Sequence, residues 1–227
     1  IKDLRKAWEN DDVDGIILRI DSPGGSALAS DEIWAAIQEI RQDKPVYASM
    51  SDVAASGGYY IAMACDTIIA EPSTITGSIG VIMAIPNLAG TMDKIGVGID
   101  TISGGPSSTF LNTLMPFNEG DKAKLRQFGE MIYKDFVGKV AESRGMDYEE
   151  TRALAKGRVW TGEDAMKAGL VDMEGGLEDA IAAMKTRIGA DPDTKINFHR
   201  YPEKIDNLNA ILKMFGIDTG DDDDAST

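Results

Sequence analysis

The sequence predicts an α/β layered domain built on a mainly parallel sheet. Two apolar runs of strand length, residues 15–20 and 46–50, each end in a turn of small residues, and each turn leads into a helix. Strand, glycine turn, helix and strand make a βαβ unit, and the pattern repeats at once with a second small-residue turn. Crossovers of this kind recur through the first hundred residues, which is the mark of a parallel sheet.

Residues 1–9 carry Leu4, Ala7 and Trp8 at helical spacing, which suits a surface helix laid on the core. The strand at 15–20 ends in Asp21-Ser22-Pro23-Gly24-Gly25-Ser26. Ile33, Trp34, Ile37 and Ile40 share one face of a helix over 29–41, with Ser30 in its opening signal and Pro45 after its end. The strand at 46–50 leads to Ala54-Ala55-Ser56-Gly57-Gly58, then a helix over 59–64 and a strand over 67–70. Residues 71–74 read as a loop, 75–82 as an apolar segment broken by small residues, 88–94 as a short helix and 98–102 as another strand. A long helix spans 121–144, striped by Leu125, Phe128, Ile132, Phe136, Val137 and Val140. Such a stripe can pack on its own domain or on a partner subunit. Shorter helices at 147–156 and 161–168 stop at Gly157 and Gly169, and further helices are expected at 177–187 and 207–215.

Composition narrows the function. Hydrophobic content of 43% and charged content of 27% are those of a soluble globular protein, and 227 residues can bury a full core. A formal net charge of −15 argues against nucleic-acid binding, which needs a basic footprint. Part of that charge is the run Asp221 to Asp224, a solvated tail. Cys65 is the only cysteine, which rules out an intrachain disulfide, and its apolar neighbours suit a buried small hydrophobe. No apolar run approaches the roughly 20 residues of a membrane span. The chain opens on Ile1 inside an amphipathic segment, so it reads as a piece of something longer.

Two glycine turns follow neighbouring strands, Ser22-Pro23-Gly24-Gly25 and Ala54-Ala55-Ser56-Gly57-Gly58. In a parallel sheet both lie at the carboxyl ends of strands, where ligands bind. A serine at a strand-to-helix turn faces free backbone N–H groups at the positive end of a helix dipole, the setting of a nucleophile beside an oxyanion hole. The plainer reading makes Ser56 a helix N-cap in a tight turn. A phosphate loop is excluded, since no Gly-Lys-Ser/Thr ending follows either turn. The one histidine, His199, lies in a polar late stretch unsuited to a Ser-His-Asp triad. Lys44, Lys94, Lys122 and Lys124 sit where solvated lysines are expected, without the apolar surroundings that would make a neutral base.

Four blocks in order and at matching spacing resemble the signal peptide peptidase A family of membrane-anchored serine peptidases. They are Ile17-Leu18-Arg19-Ile20-Asp21-Ser22-Pro23-Gly24-Gly25, Ala54-Ala55-Ser56-Gly57-Gly58-Tyr59-Tyr60, residues 73–81 around Thr76-Gly77-Ser78-Ile79-Gly80, and residues 157–165 around Val159-Trp160-Thr161-Gly162. The resemblance implies a Clp-protease/crotonase-like fold over 1–190, in repeated ββα and βαβ units. Beyond it lie a C-terminal extension over 191–220 and the acidic tail at 221–227. It further implies Ser56 as the nucleophile of a Ser/Lys dyad, amides of Gly24, Gly25 and Gly57 as the oxyanion hole, and Ser78 as the serine that hydrogen-bonds the lysine base. In short members that lysine follows a Ser-Gly turn; here the turn reads Ser103-Gly104-Gly105 and the lysine position holds serine, Ser108.

Two explanations compete for the missing base. In long members of the family two copies of the fold occur in tandem, with the lysine on the first and the serine on the second. This chain is read as such a second copy. The other explanation is a relative that has lost activity and keeps the fold for assembly. The expected function is cleavage of apolar, signal-peptide-like peptides at or near a membrane, with the lysine supplied from outside the chain. The alternatives are a crotonase-like acyl-CoA enzyme and a non-catalytic scaffold. No cofactor, metal or nucleic acid is expected. A homo-oligomer, an upstream lysine-bearing copy and an extracytoplasmic membrane location, through an anchor absent from these residues, are expected from the resemblance.

Overall fold

A computed structural model describes residues 1–105, 108–191 and 193–202. The expected helix at 207–215 and the acidic tail lie outside them. The order is α1 (Lys2–Glu9), β1 (Ile16–Ser22), α2 (Ala27–Ile40), β2 (Val46–Ala55), α3 (Gly57–Ala62), β3 (Thr67–Ala70), β4 (Ile75–Gly77), α4 (Ala89–Lys94), α5 (Glu119–Arg144), α6 (Tyr148–Leu154), β5 (Val159–Thr161), α7 (Gly162–Lys167), β6 (Met173–Glu174) and α8 (Leu177–Arg187). The α/β class is as predicted, with a six-stranded sheet whose pairings are parallel except that of β4 with β5.

Strand β2 organises the sheet. It pairs with β1 along its length, from Ile16 against Val46 to Ser22 against Ala54. On its other side it divides: Tyr47–Ser49 pair with β3, and Val53–Ala55 pair with β4. The sheet therefore forks, and Ser56 follows the upper tine. Residues Val46, Ala48, Met50 and Ala54 of β2 are fully buried between helical layers, as the continuous apolar run requires.

Helix α3 drives into that core. Tyr59 is fully buried and donates its hydroxyl to the carbonyl of Leu170 at 2.9 Å, so a large apolar ring enters the core without orphaning its polar end. Cys65 is buried just beyond, and burial above all pushes its thiol far above the ordinary range. Helix α5 divides along its length. Phe136, Val137 and Val140 pack in the core, while Phe128 and Met131 remain exposed.

The structure corrects several expectations. Helix α2 opens at Ala27, and Ser26 rather than Ser30 caps it, its Oγ accepting from the Ala29 N–H at 3.3 Å. Helix α3 begins at Gly57, two residues earlier than its apolar pattern indicates. The apolar segment at 75–82 is strand only over Ile75–Gly77, because Ser78 turns left-handed (φ 49°) and ends the ladder. No strand forms at 98–102, where Ile99 and Ile102 are exposed. Strands β5 and β6, of 3 and 2 residues, are too short to show an alternating pattern.

Candidate active site

The end of β2 presents Ser56 on a backbone that serine seldom adopts, φ 53° and ψ −116°. Such a conformation in a residue with a Cβ costs about 1–3 kcal/mol and is held only where the surroundings over-determine it. Here they do. The Ser56 N–H donates to the Gly77 carbonyl at 2.9 Å, and its carbonyl accepts the Tyr60 N–H at 2.9 Å as α3 begins. Ser56 occupies the N-cap position of α3, yet its side chain makes no capping hydrogen bond. The plain N-cap reading therefore does not account for this serine.

Opposite stands the Ser22 to Gly25 turn. A Cβ on Gly24 (φ +115°) would lie 2.8 Å from the Ser56 Cβ and 3.0 Å from the Gly57 nitrogen. A Cβ on Gly57 would lie 3.2 Å from the Gly25 nitrogen and 2.6 Å from Ser30 Oγ. The two turns touch backbone to backbone, and glycine is what allows the approach. The Gly24 N–H is already occupied, donating to Ser22 Oγ at 3.2 Å. The N–H groups of Gly25 and Gly57 make no hydrogen bond among the described residues. Gly24 is thus placed to give room, while Gly25 and Gly57 offer donors.

All this opens into a cleft of about 930 Å³. Gly25, Ser56, Gly57 and Ser78 line it together. Val81, Met83, Phe128, Ile132 and Phe136 form an apolar wall, and Arg152 and Lys156 lie on a basic stretch of the lining. The second serine turn is built like the first: the Ser78 N–H donates to the Arg158 carbonyl at 2.7 Å, and Trp160 lies where a Gly77 Cβ would go. Gly157 donates to the Ile79 carbonyl at 2.9 Å, so residues 156–157 stack on the 78–80 turn.

Other expected groups lie elsewhere. Ser108 is exposed, bonded to the Gly105 carbonyl at 2.7 Å, and is absent from the cleft lining. His199 is exposed and also off the cleft. Lys44 donates to the Asn10 carbonyl at 2.7 Å, and Lys122 pairs with Glu119. Sequence reasoning missed Lys156, whose left-handed backbone (φ 60°) precedes Gly157. Its neighbour was legible only as a helix stop, and nothing in the local pattern signals that this turn returns to Ser78. Among the described residues no cluster of three His, Cys, Asp or Glu side chains is placed to hold a metal ion. Nor is any helix among them long and apolar enough to cross a membrane.

The fold and the cleft define an α/β protein of the Clp-protease/crotonase type, with a strained serine facing a glycine turn. The chain belongs to peptidase family S49, whose model matches residues 38–191. It is 42% identical over 217 residues to the chloroplastic serine protease SPPA of Arabidopsis thaliana, covering 95% of this chain and 32% of that protein. It is 38% identical over 188 residues to a putative protease of Synechocystis, covering 83% of this chain and 68% of that protein. A putative signal peptide peptidase SppA of Enterococcus faecium is 37% identical over 183 residues, covering 80% of this chain and 53% of that relative. The chain thus spans only 32% of the plant relative's length.

Proposed function

We propose that this chain is the serine-bearing part of a Ser/Lys peptidase whose general base comes from another domain or subunit. The observation that carries the reading is Ser56, held left-handed, uncapped and in one cleft with Ser78 and the N–H groups of Gly25 and Gly57. Ser56 Oγ attacks the scissile carbonyl as its proton passes to a neutral lysine amine, which Ser78 Oγ orients. The Gly25 and Gly57 amides stabilise the oxyanion, the C–N bond breaks, and the leaving amine takes the proton. Water then hydrolyses the ester.

An outside base is supported by Ser108, which takes the lysine position of short members and lies off the cleft. The apolar wall supports peptides with apolar side chains as substrates, including remnant signal peptides at a membrane. Association with further copies of the fold is supported by exposed apolar residues between β4 and the middle of α5. Ile82 is 96% exposed and Ile102 106%, with Ile95, Val97 and Met131 among the others.

A serine-directed phosphonate probe tests this. The 227-residue chain alone should label slowly, and adding the lysine-bearing domain should accelerate labelling at Ser56. Rapid labelling of the isolated chain would place the base inside it, with Lys156, the lysine that lines the cleft, as the residue to replace. Peptide or acyl-thioester turnover that survives Ser56→Ala would instead support the acyl-CoA class. Failure of Ser56 to label even with the lysine restored would leave a scaffold.

A further inference from the structure

Behind the cleft, three helices meet at a knot of polar groups that the proposed chemistry does not use. Lys139 of α5, with its side chain 17% exposed, donates to the Asp31 carboxylate of α2. It also donates to the Tyr60 hydroxyl of α3 at 2.8 Å and pairs with Asp135, one turn back on its own helix, at 3.0 Å. The Tyr60 hydroxyl donates to Asp31 at 2.7 Å and has Asp135 Oδ2 at 3.1 Å. The lysine cation lies 4.4 Å from the ring centroid of Trp34, also on α2.

This lysine is not a base. Burial alone would favour its neutral form, but the bonds to Asp31, Tyr60 and Asp135 outweigh burial and hold it firmly charged. Its importance lies in what its partners are attached to. Tyr60 begins one turn after Ser56, to whose carbonyl its own N–H is bonded. Asp31 follows Ser30, whose N–H is bonded to the carbonyl of Ser26, the residue directly after Gly25. One helix therefore carries one turn of the cleft, the second carries the other, and Lys139 ties them to a third helix that forms the cleft wall.

We propose that Lys139 is a positioning residue that clamps α2 to α3 and so sets the Gly25 amide against Ser56 and the Gly57 amide. The inference rests on the reading of Ser56 given above. Its electrostatics are specific. Without the cation, the carboxylates of Asp31 on α2 and Asp135 on α5 face each other across the Tyr60 phenol of α3, and their repulsion pushes α2 from α5 and loosens its hold on Tyr60. Neutralising one carboxylate should then repair part of the damage.

The test uses Lys139→Met, Lys139→Arg, Asp31→Asn and the double variant Lys139→Met/Asp31→Asn. By NMR hydrogen exchange on the 227-residue chain, Lys139→Met should speed exchange of the Ser30 and Tyr60 amides by about tenfold or more, with β3 amides unchanged. The double variant should lie between Lys139→Met and wild type, and Lys139→Arg close to wild type. In the peptidase assembled with its lysine-bearing domain, Lys139→Met should lower kcat about tenfold or more with KM within about twofold. Unchanged exchange at both amides, uniform acceleration throughout the sheet, or a double variant worse than the single would overturn the clamp. If Lys139→Met does not fold, Asp31→Asn carries the test, with acceleration expected at Ser30. If the wild-type assembly cleaves no peptide, the reading of Ser56 fails while the exchange data still decide the clamp.

Discussion

The Ser56 N–H is hydrogen-bonded to the carbonyl of Gly77, the residue before Ser78, and both serines have positive φ, 53° and 49°. One turn is thus built on the other. Ser56 and Ser78 are coupled through backbone, so their relative placement survives changes in either side chain.

Strain at Ser56 predicts an asymmetry between two inactivating substitutions. Ser56→Gly should be more stable than Ser56→Ala by about 1 kcal/mol, because glycine enters this backbone region freely and alanine does not. Urea unfolding of the two variants measures the difference. Equal stabilities would mean that the turn relaxes once the hydroxyl is gone.

Gly24→Ala should damage the cleft directly. Its Cβ would lie 2.8 Å from that of Ser56, at a φ of +115°. We expect a loss of about 1–3 kcal/mol and near-complete loss of Ser56 labelling in the assembled enzyme. Gly25→Ala meets nothing within 4 Å and should fold with a smaller loss of stability. Thermal melts and probe labelling of the two variants compare them directly.

Tyr59→Phe removes a buried donor and orphans the Leu170 carbonyl. The expected cost is about 1–3 kcal/mol, read from denaturant midpoints, with Ser56 labelling retained.

Asp31 supplies a pH signature. Burial acts to raise its carboxyl, but the bonds from Lys139 and Tyr60 and the lysine charge more than offset this, and its pKa lies below the ordinary value. Asp135 is the other carboxylate facing the group. A depressed carboxyl contributes stability above its unfolded pKa and loses it as pH falls through the folded one. The melting-temperature gap between wild type and Asp31→Asn should therefore hold from about pH 7 to about pH 5 and narrow progressively as pH falls below about pH 4. A gap already closed at about pH 5 would contradict the assignment.

Much of this was legible in the sequence, for identifiable reasons. Strands β1 to β3 are read from continuous apolar runs, and α8 from its spacing, because burial on both faces or one face leaves a local mark. The glycine turns announce themselves by composition. What escaped depends on distant partners. Residues 98–102 have the texture of a strand and pair with none, whereas β5 has three residues and becomes a strand only because β4 lies alongside. Lys139 looks like any lysine on a helix, and it becomes a largely enclosed cation only when α2 and α3 pack beside it. Lys156 entered the cleft through a turn that the chain pattern does not distinguish from a helix end.

The buried Cys65 has a practical meaning for chemical work on this domain. It is the only cysteine in the chain, its side chain is enclosed, and burial keeps it as the unreactive thiol. Thiol-directed electrophiles offered to the folded domain therefore meet no accessible thiol. A serine-directed acylating probe can thus be used on the native fold without first blocking thiols.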